Sequence, residues 1–453
     1  MSYYRPAAPQ EQVSLQVCHN FYTYYPNTLH LFLAKGIQTH PCKRTAAAAA
    51  FRYDMPVGPA GAVLFLHCNC ALCVILRKIF GTVSGHMSYH LAGRALTIKA
   101  ETKSYTNSQK GDATMDTKRK IIMDVDTGSD DAIALVMAML CEDFDCLGIC
   151  SVNGNVEVKL TTDNSLRVVE CCDKQGQVKV YKGCDLPIAS TLMPWTAQSL
   201  RPFPTREGTR KGQTVVHGDH LPLPAPTIKE ERDSAVVWLI NTLLDSEDGE
   251  ITLVPVGPLT NVAVAMRADP RIIPKIKEIF IMGGGHLVNN SSPAAEFNIW
   301  ADPEAMEIVL QSGCKITMVP LDATHQAYIT VDEAQKIRAI GTKPAQLVAD
   351  LVESRTAGYG VNDAEMKALN AAPIHDALAL CAVLHPECLK DVLHVNCHTD
   401  ISRGFAYGQT IIDRRVRVNP EPKNCYFALG ADKDVFYNWV MDVLEKDKAK
   451  RGL

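Results

Sequence analysis

The chain has 453 residues, 47% hydrophobic and 21% charged, with a formal net charge of −4 and a pI near 6.4. That balance excludes disorder over most of the length, supplies no basic field for nucleic acid, and suits a small polar substrate. Its 16 cysteines follow no repeating spacing, which predicts reduced thiols buried on apolar faces, such as Cys141, Cys150 and Cys381, in a cytoplasmic protein rather than a disulfide framework.

Residues 1–114 carry an alanine run at Ala46 to Ala50, few acids and no sustained period, and are expected to be a poorly structured N-terminal extension. Met1 leads into a polar stretch rather than a secretory signal. The apolar run Ala62 to Leu76 is too short to span a bilayer, so no membrane partner is expected. Cys68, Cys70 and Cys73 lack a second ligand pair at zinc spacing. A polar stretch from Ser104 to Lys118 contains Met115, a sensible alternative start, and opens a domain over residues 115–453.

From Lys120 onward, short β-rich runs alternate with helical patterns, which predicts an α/β fold of parallel strands joined by crossover helices. Expected strands are Ile121 to Val125, Cys146 to Val152, Val178 to Tyr181, Ile251 to Val256, Glu278 to Met282 and Lys315 to Val319. Helical periodicity marks Asp130 to Leu140, Val156 to Cys172, Ser234 to Leu244, Thr260 to Ala268, Pro303 to Gln311 and His375 to Leu384. Ligands of such sheets bind beyond the carboxyl ends of the strands.

At the first of those ends stands Asp124-Val-Asp126-Thr-Gly-Ser-Asp130-Asp131. Helix capping by Ser129 or Asp130 explains one oxygen-bearing residue there. It does not explain four carboxylates, whose repulsion in a crevice calls for a cation or bound hydroxyls. Oxygen-only donors point to a hard ion, and a flexible loop with a bidentate carboxylate favours Ca²⁺ over Mg²⁺. Far downstream, His375-Asp376 opens an apolar helix and sets an imidazole beside another acid. Asn153 and Asn155 end the second strand, and Met282-Gly-Gly-Gly285 leads through Asn289 and Asn290 to Glu296-Phe-Asn298, polar groups suited to a sugar. The glycines lack the dinucleotide spacing.

Taken in order, Asp124 to Asp131, Leu253-Val-Pro-Val-Gly-Pro-Leu-Thr-Asn261, Met282 to Gly285, Glu296-Phe-Asn298 with Asp302-Pro-Glu304, Thr324-His-Gln326 and His375-Asp376 resemble the inosine-uridine-preferring nucleoside hydrolases. The resemblance implies a single open, mostly parallel sheet flanked by helices, and a homodimer or homotetramer. It implies a Ca²⁺ held by Asp126, Asp131, the carbonyl of Val256 and Asp376. Ribose 2′- and 3′-hydroxyls would meet Asp130 and Asn155, the 5′ end Asn290, Glu296 and Asn298, and Met282 would pack under the sugar. The implied reaction is hydrolysis of a ribonucleoside to free base and ribose. In it, Ca²⁺ polarises a water, Asp126 takes its proton, and attack on C1′ passes through an oxocarbenium-like transition state. His375 is the candidate acid for the departing base, with His217 and His325 also near the base pocket. Thr127 stands where many members have proline. Two rivals compete: a Mg²⁺-dependent D-x-D phosphohydrolase with Asp124 as nucleophile, which needs a downstream lysine, and a non-catalytic nucleoside-binding protein of the same fold.

Overall fold

The computed structural model describes residues 87–91, 94–98, 118–192, 218–418 and 420–453. Contacts divide the chain into two units, Met1–Asp112 and Ala113–Leu453. In the first, Met87–Leu91 and Arg94–Ile98 pair antiparallel, Met87 opposite Ile98 and Leu91 opposite Arg94. No strand is evident there from sequence periodicity. The run Ala62 to Leu76 and the cysteines at 68, 70 and 73 lie outside the described residues, as does His217.

Among the described residues, the second unit is built on a nine-stranded sheet and the helices that flank it. In chain order its main elements are β1 (Arg119–Val125), α1 (Ser129–Leu140), β2 (Phe144–Ser151), α2 (Val158–Cys171), β3 (Val180–Lys182), α3 (Ala235–Leu244), β4 (Ile251–Pro255), α4 (Thr260–Ala268), β5 (Ile276–Met282), α5 (Phe297–Ala301), α6 (Pro303–Leu310), β6 (Ile316–Val319), α7 (Lys343–Asn362), α8 (His375–Leu384), β7 (Leu393–Thr399), β8 (Thr410–Asp413), β9 (Cys425–Phe427) and α9 (Lys433–Lys450). The strands lie in the order β8-β7-β9-β6-β5-β4-β1-β2-β3. From β9 to β3 every pairing is parallel, and β7 runs antiparallel to both β9 and β8. This is the open, mostly parallel sheet flanked by helices that the sequence predicts. The expected strands are present with ends moved by a few residues.

Parallel strands are covered on both faces and so read as continuous apolar runs. In β4 all five residues are buried. The two faces pack into separate cores: Ile121, Met123 and Val125 of β1 face one, and Ile122 faces the other. α1 is buried on every side, as a helix apolar all round must be, with α2, α7, α8 and α9 packed around it. Strand order reverses at β1, which has β2 on one side and β4 on the other. That reversal opens a crevice at the carboxyl ends of β1 and β4, where Asp126 and Val256 lie.

A short antiparallel ribbon, Tyr328–Thr330 with Ala371–Pro373, pairs Tyr328 with Pro373. It brings the segment after Thr324 against the start of α8, and Ile374 N–H donates to Ala327 O. No helix of the described residues is long and apolar enough to cross a membrane. The cysteines among the described residues are free, with Cys141, Cys150 and Cys381 buried.

Candidate functional site

Four aspartates from the end of β1 and the start of α1, namely Asp124, Asp126, Asp130 and Asp131, are buried together with Asp376 and His375 from the start of α8. The turn is locked by its own backbone. Asp131 accepts from Gly128 N–H (2.9 Å) and Asp126 N–H (3.1 Å), so Gly128 is the residue at the N-cap of α1, rather than Ser129 or Asp130 as capping preference suggests. Thr127 is tied down through its hydroxyl to Ser165 (2.7 Å) and its carbonyl to Asn164 (3.1 Å). These bonds fix the turn without a proline.

Asp130, Asp131 and Asp376 each bring a carboxylate oxygen within 4.8 Å of the others'. Asp126 is not one of that trio: its backbone N–H donates to Asp131, and its carboxyl Oδ2 accepts from Asn155 N–H at 2.6 Å. Asn155 Nδ2 reaches Asp131 Oδ2 at 3.4 Å. Burial pushes Asp126 and Asp376 well above the usual carboxylate range, reinforced by the neighbouring acids. Asp131 is pushed up to about 7 by burial and by Asp130. Burial likewise raises Asp124 to about 7. Its Oδ2 accepts from Asn261 Nδ2 at 3.0 Å, while its buried Oδ1 has no hydrogen-bond partner among the described residues. Hard oxygen donors crowded this closely, from two distant segments, fit a bound cation that would relieve their repulsion.

Around the acids lies a second layer. Asn298 Nδ2 donates to Val256 O (2.7 Å) and Met282 O (3.2 Å), tying the ends of β4 and β5 to α5. Glu296 caps α5 by accepting from Asn298 N–H (2.8 Å) and also accepts from Gly284 N–H (2.8 Å). Gly284 has φ +81°, and a Cβ there would lie 2.7 Å from Thr410 Oγ1, so this glycine of the triple run answers both a conformational and a steric demand. Asn290 is exposed, accepts from Ser291 Oγ (3.3 Å), and makes no hydrogen bond to the acids among the described residues. The adjacent Asn289 carries a buried Oδ1 without a partner.

His375 is held from both sides. Its Nδ1 pairs with Thr324 Oγ1 (2.7 Å) and its Nε2 with Tyr359 OH (2.6 Å). His325 lies 5.5 Å away, ring centre to ring centre, and burial lowers its pKa. Arg355, one helical turn before Tyr359 on α7, is fully buried. Its Nη1 meets Asp130 Oδ1 and Ser129 Oγ, each at 2.8 Å, and its Nε and Nη2 donate to Pro373 O at 3.2 and 3.0 Å. The structure thus gathers Asp126, Asp130, Asp131, Asn155, Val256, Met282, Glu296, Asn298, His375 and Asp376. Sequence reasoning missed Arg355, Tyr359 and Asn261. The four-residue spacing of Arg355 and Tyr359 places them on one helix face, yet nothing local says that the face is buried against acids.

A family model described as inosine-uridine preferring nucleoside hydrolase matches residues 121–438. A pyrimidine-specific ribonucleoside hydrolase, RihB, of Escherichia coli is 37% identical over 328 residues, covering 71% of this chain and 96% of that protein. Its counterpart in Escherichia fergusonii matches to the same extent. Among solved structures, a plant nucleoside hydrolase superposes with a TM-score of 0.63 at 25% identity, covering 73% of this chain and 99% of that one. The purine-preferring ribonucleoside hydrolase from Gardnerella vaginalis gives 0.62 at 28% with the same coverage.

Proposed function

This chain belongs to the inosine-uridine preferring nucleoside hydrolase family, whose members act on N-glycosyl bonds, and from that premise we propose how its site cleaves a ribonucleoside to free base and ribose. Asp126, Asp131, Asp376 and the Val256 carbonyl would hold a divalent cation, and an all-oxygen donor set on a turn suits Ca²⁺. When bound, that ion supplies Lewis-acid polarisation of a water.

The remaining work falls to the protein's own groups. Asp126 accepts the proton of the attacking water. Its carboxylate is oriented by Asn155 N–H, within reach of the water it would deprotonate. Asp130 and the Asn155 side chain accept from and donate to the ribose hydroxyls. Glu296 and Asn298, with Asn290 from its exposed loop, take the 5′ end, and Met282 underlies the sugar. As the bond to the base stretches, positive charge grows on the ribose, and the surrounding carboxylates stabilise it. His375, set between Thr324 and Tyr359, passes a proton to the departing base. His217 and His325 remain further candidates for the base end.

One observation carries this reading: buried carboxylates of Asp130 and Asp131 at the start of α1 and of Asp376 at the start of α8 meet within 4.8 Å. The same reading assigns catalysis to residues 115–453, a cytoplasmic setting and a homodimer or homotetramer. The test incubates the full chain with a panel of purine and pyrimidine ribonucleosides, with Ca²⁺ or with chelator, and follows base and ribose. Release should depend on the ion, and Asp126→Asn should lower kcat by about 10²–10⁴-fold. No ribose from any nucleoside, or phosphate freed from an ester instead, would overturn it.

A further inference from the structure

Arg355 has no place in the mechanism above, yet all three of its guanidinium nitrogens are engaged. It is fully buried, and a buried guanidinium is tolerated only where its donors are matched. Here one nitrogen serves the first turn of α1 through Ser129 Oγ and Asp130 Oδ1, and the other two converge on the carbonyl of Pro373, two residues before His375. The guanidinium carbon stands 5.5 Å from the centre of the Tyr359 ring, whose hydroxyl holds His375 Nε2. α7 therefore grips Asp130 with one side chain and His375 with the next on the same face.

We propose that Arg355 is a positioning residue for the sugar subsite, which holds the Asp130 carboxylate by one oxygen so that the other accepts from the ribose 2′-hydroxyl. This rests on the assignment of Asp130 to the sugar made above. Arg355 touches no substrate. It fixes the orientation of an acid that stands within 4.8 Å of Asp131 and Asp376, and it compensates the charge of that acid, the one in the cluster assigned to hydroxyl recognition rather than to the ion. The fork geometry matters as much as the charge, because three nitrogens are used in two directions. Discrimination between ribonucleosides and 2′-deoxyribonucleosides then depends on a residue lying behind the site.

The test uses the full chain as wild type, Arg355→Lys, Arg355→Met, Asp130→Asn and the Arg355→Met/Asp130→Asn double variant. Uridine and inosine, each with its 2′-deoxy counterpart, are the probes, with kcat and KM determined separately. Arg355→Met should lower the ribo-to-deoxy ratio of kcat/KM by about tenfold or more, leaving turnover of the deoxy substrate within about threefold. Asp130→Asn should lower the same ratio, with turnover of both substrates reduced, and the double variant's ratio should be no lower than that of the lower single one. Arg355→Lys should recover only part of the ratio, and it decides the matter if the methionine variant does not fold, as judged by its thermal midpoint. Equal loss on both substrates, an unchanged ratio, or additive effects would mean that Arg355 is only a structural tie. Wild-type protein that cleaves no nucleoside overturns the functional reading instead. In that event, calorimetric affinities for ribose against 2-deoxyribose supply the ratio that decides on Arg355.

Discussion

Gly154 stands where no side chain fits: a Cβ there would lie 2.1 Å from Asp126 Oδ2. Gly257 closes on the same carboxylate from the other side, with a Cβ position 2.9 Å from Asp126 Oδ1. Backbone is thus packed directly against the proposed base, and its orientation is set by what the neighbouring residues lack. Gly154→Ala should lower kcat by about 10²-fold through displacement of the carboxylate, at a stability cost of about 1–3 kcal/mol. Steady-state kinetics and urea unfolding on the same preparation check both; an alanine variant with full kcat would show that Asp126 is free to move. Asn261 does comparable work at a distance from the substrate. It donates to Asp124 Oδ2 and Ser151 O, both at 3.0 Å, and accepts from Cys184 N–H at 2.8 Å. Asn261→Ala leaves those buried groups unmatched, and unfolding should show a loss of about 1–3 kcal/mol.

Elements far from the crevice carry stability without chemistry. α9 lays Phe436, Trp439, Val440, Val443 and Leu444 into the core that also holds α1. Phe436 is fully buried, and Phe436→Ala should cost about 3–5 kcal/mol. Because α9 supplies none of the proposed site residues, kcat measured well below the melting temperature should stay within about twofold. A parallel loss of kcat would show that the packing of α1 sets the turn of acids more tightly than its hydrogen bonds imply.

For the molecule as a whole, the acids make stability depend on pH and on metal together. Asp124 and Asp131 are raised to about 7, and Asp126 and Asp376 move in the same direction. An unfolded aspartate loses its proton near pH 4, so between about pH 4 and 7 the folded state binds more protons than the unfolded one. Stability must then fall as pH rises through that window. In chelator, the thermal midpoint should be lower at pH 8 than at pH 5.5. Ca²⁺ favours the ionised carboxylates and should raise the midpoint, more so at pH 8. Calorimetric scans over pH, with and without the ion, check this. A midpoint in chelator that climbs with pH would contradict the burial of these acids as unpaired charges.

The fold class and the centre of the site are legible in the sequence because both are written locally. Ile121 to Val125 and Ile251 to Val256 are too apolar for anything but strands covered on both faces, and four acids within eight residues exceed what capping uses. β7 and β8 escape such reading because they form the exposed edge, where His394, Asn396 and His398 alternate with buried residues and weaken the apolar signal. Tertiary structure alone decides which acids meet, since Asp376 joins Asp130 and Asp131 only once α8 packs on α1. It alone sets Arg355 on Asp130 and Tyr359 on His375. Periodicity tells which face of a helix is buried, whereas the partner of a buried charge lies hundreds of residues away and is chosen by the topology of the sheet.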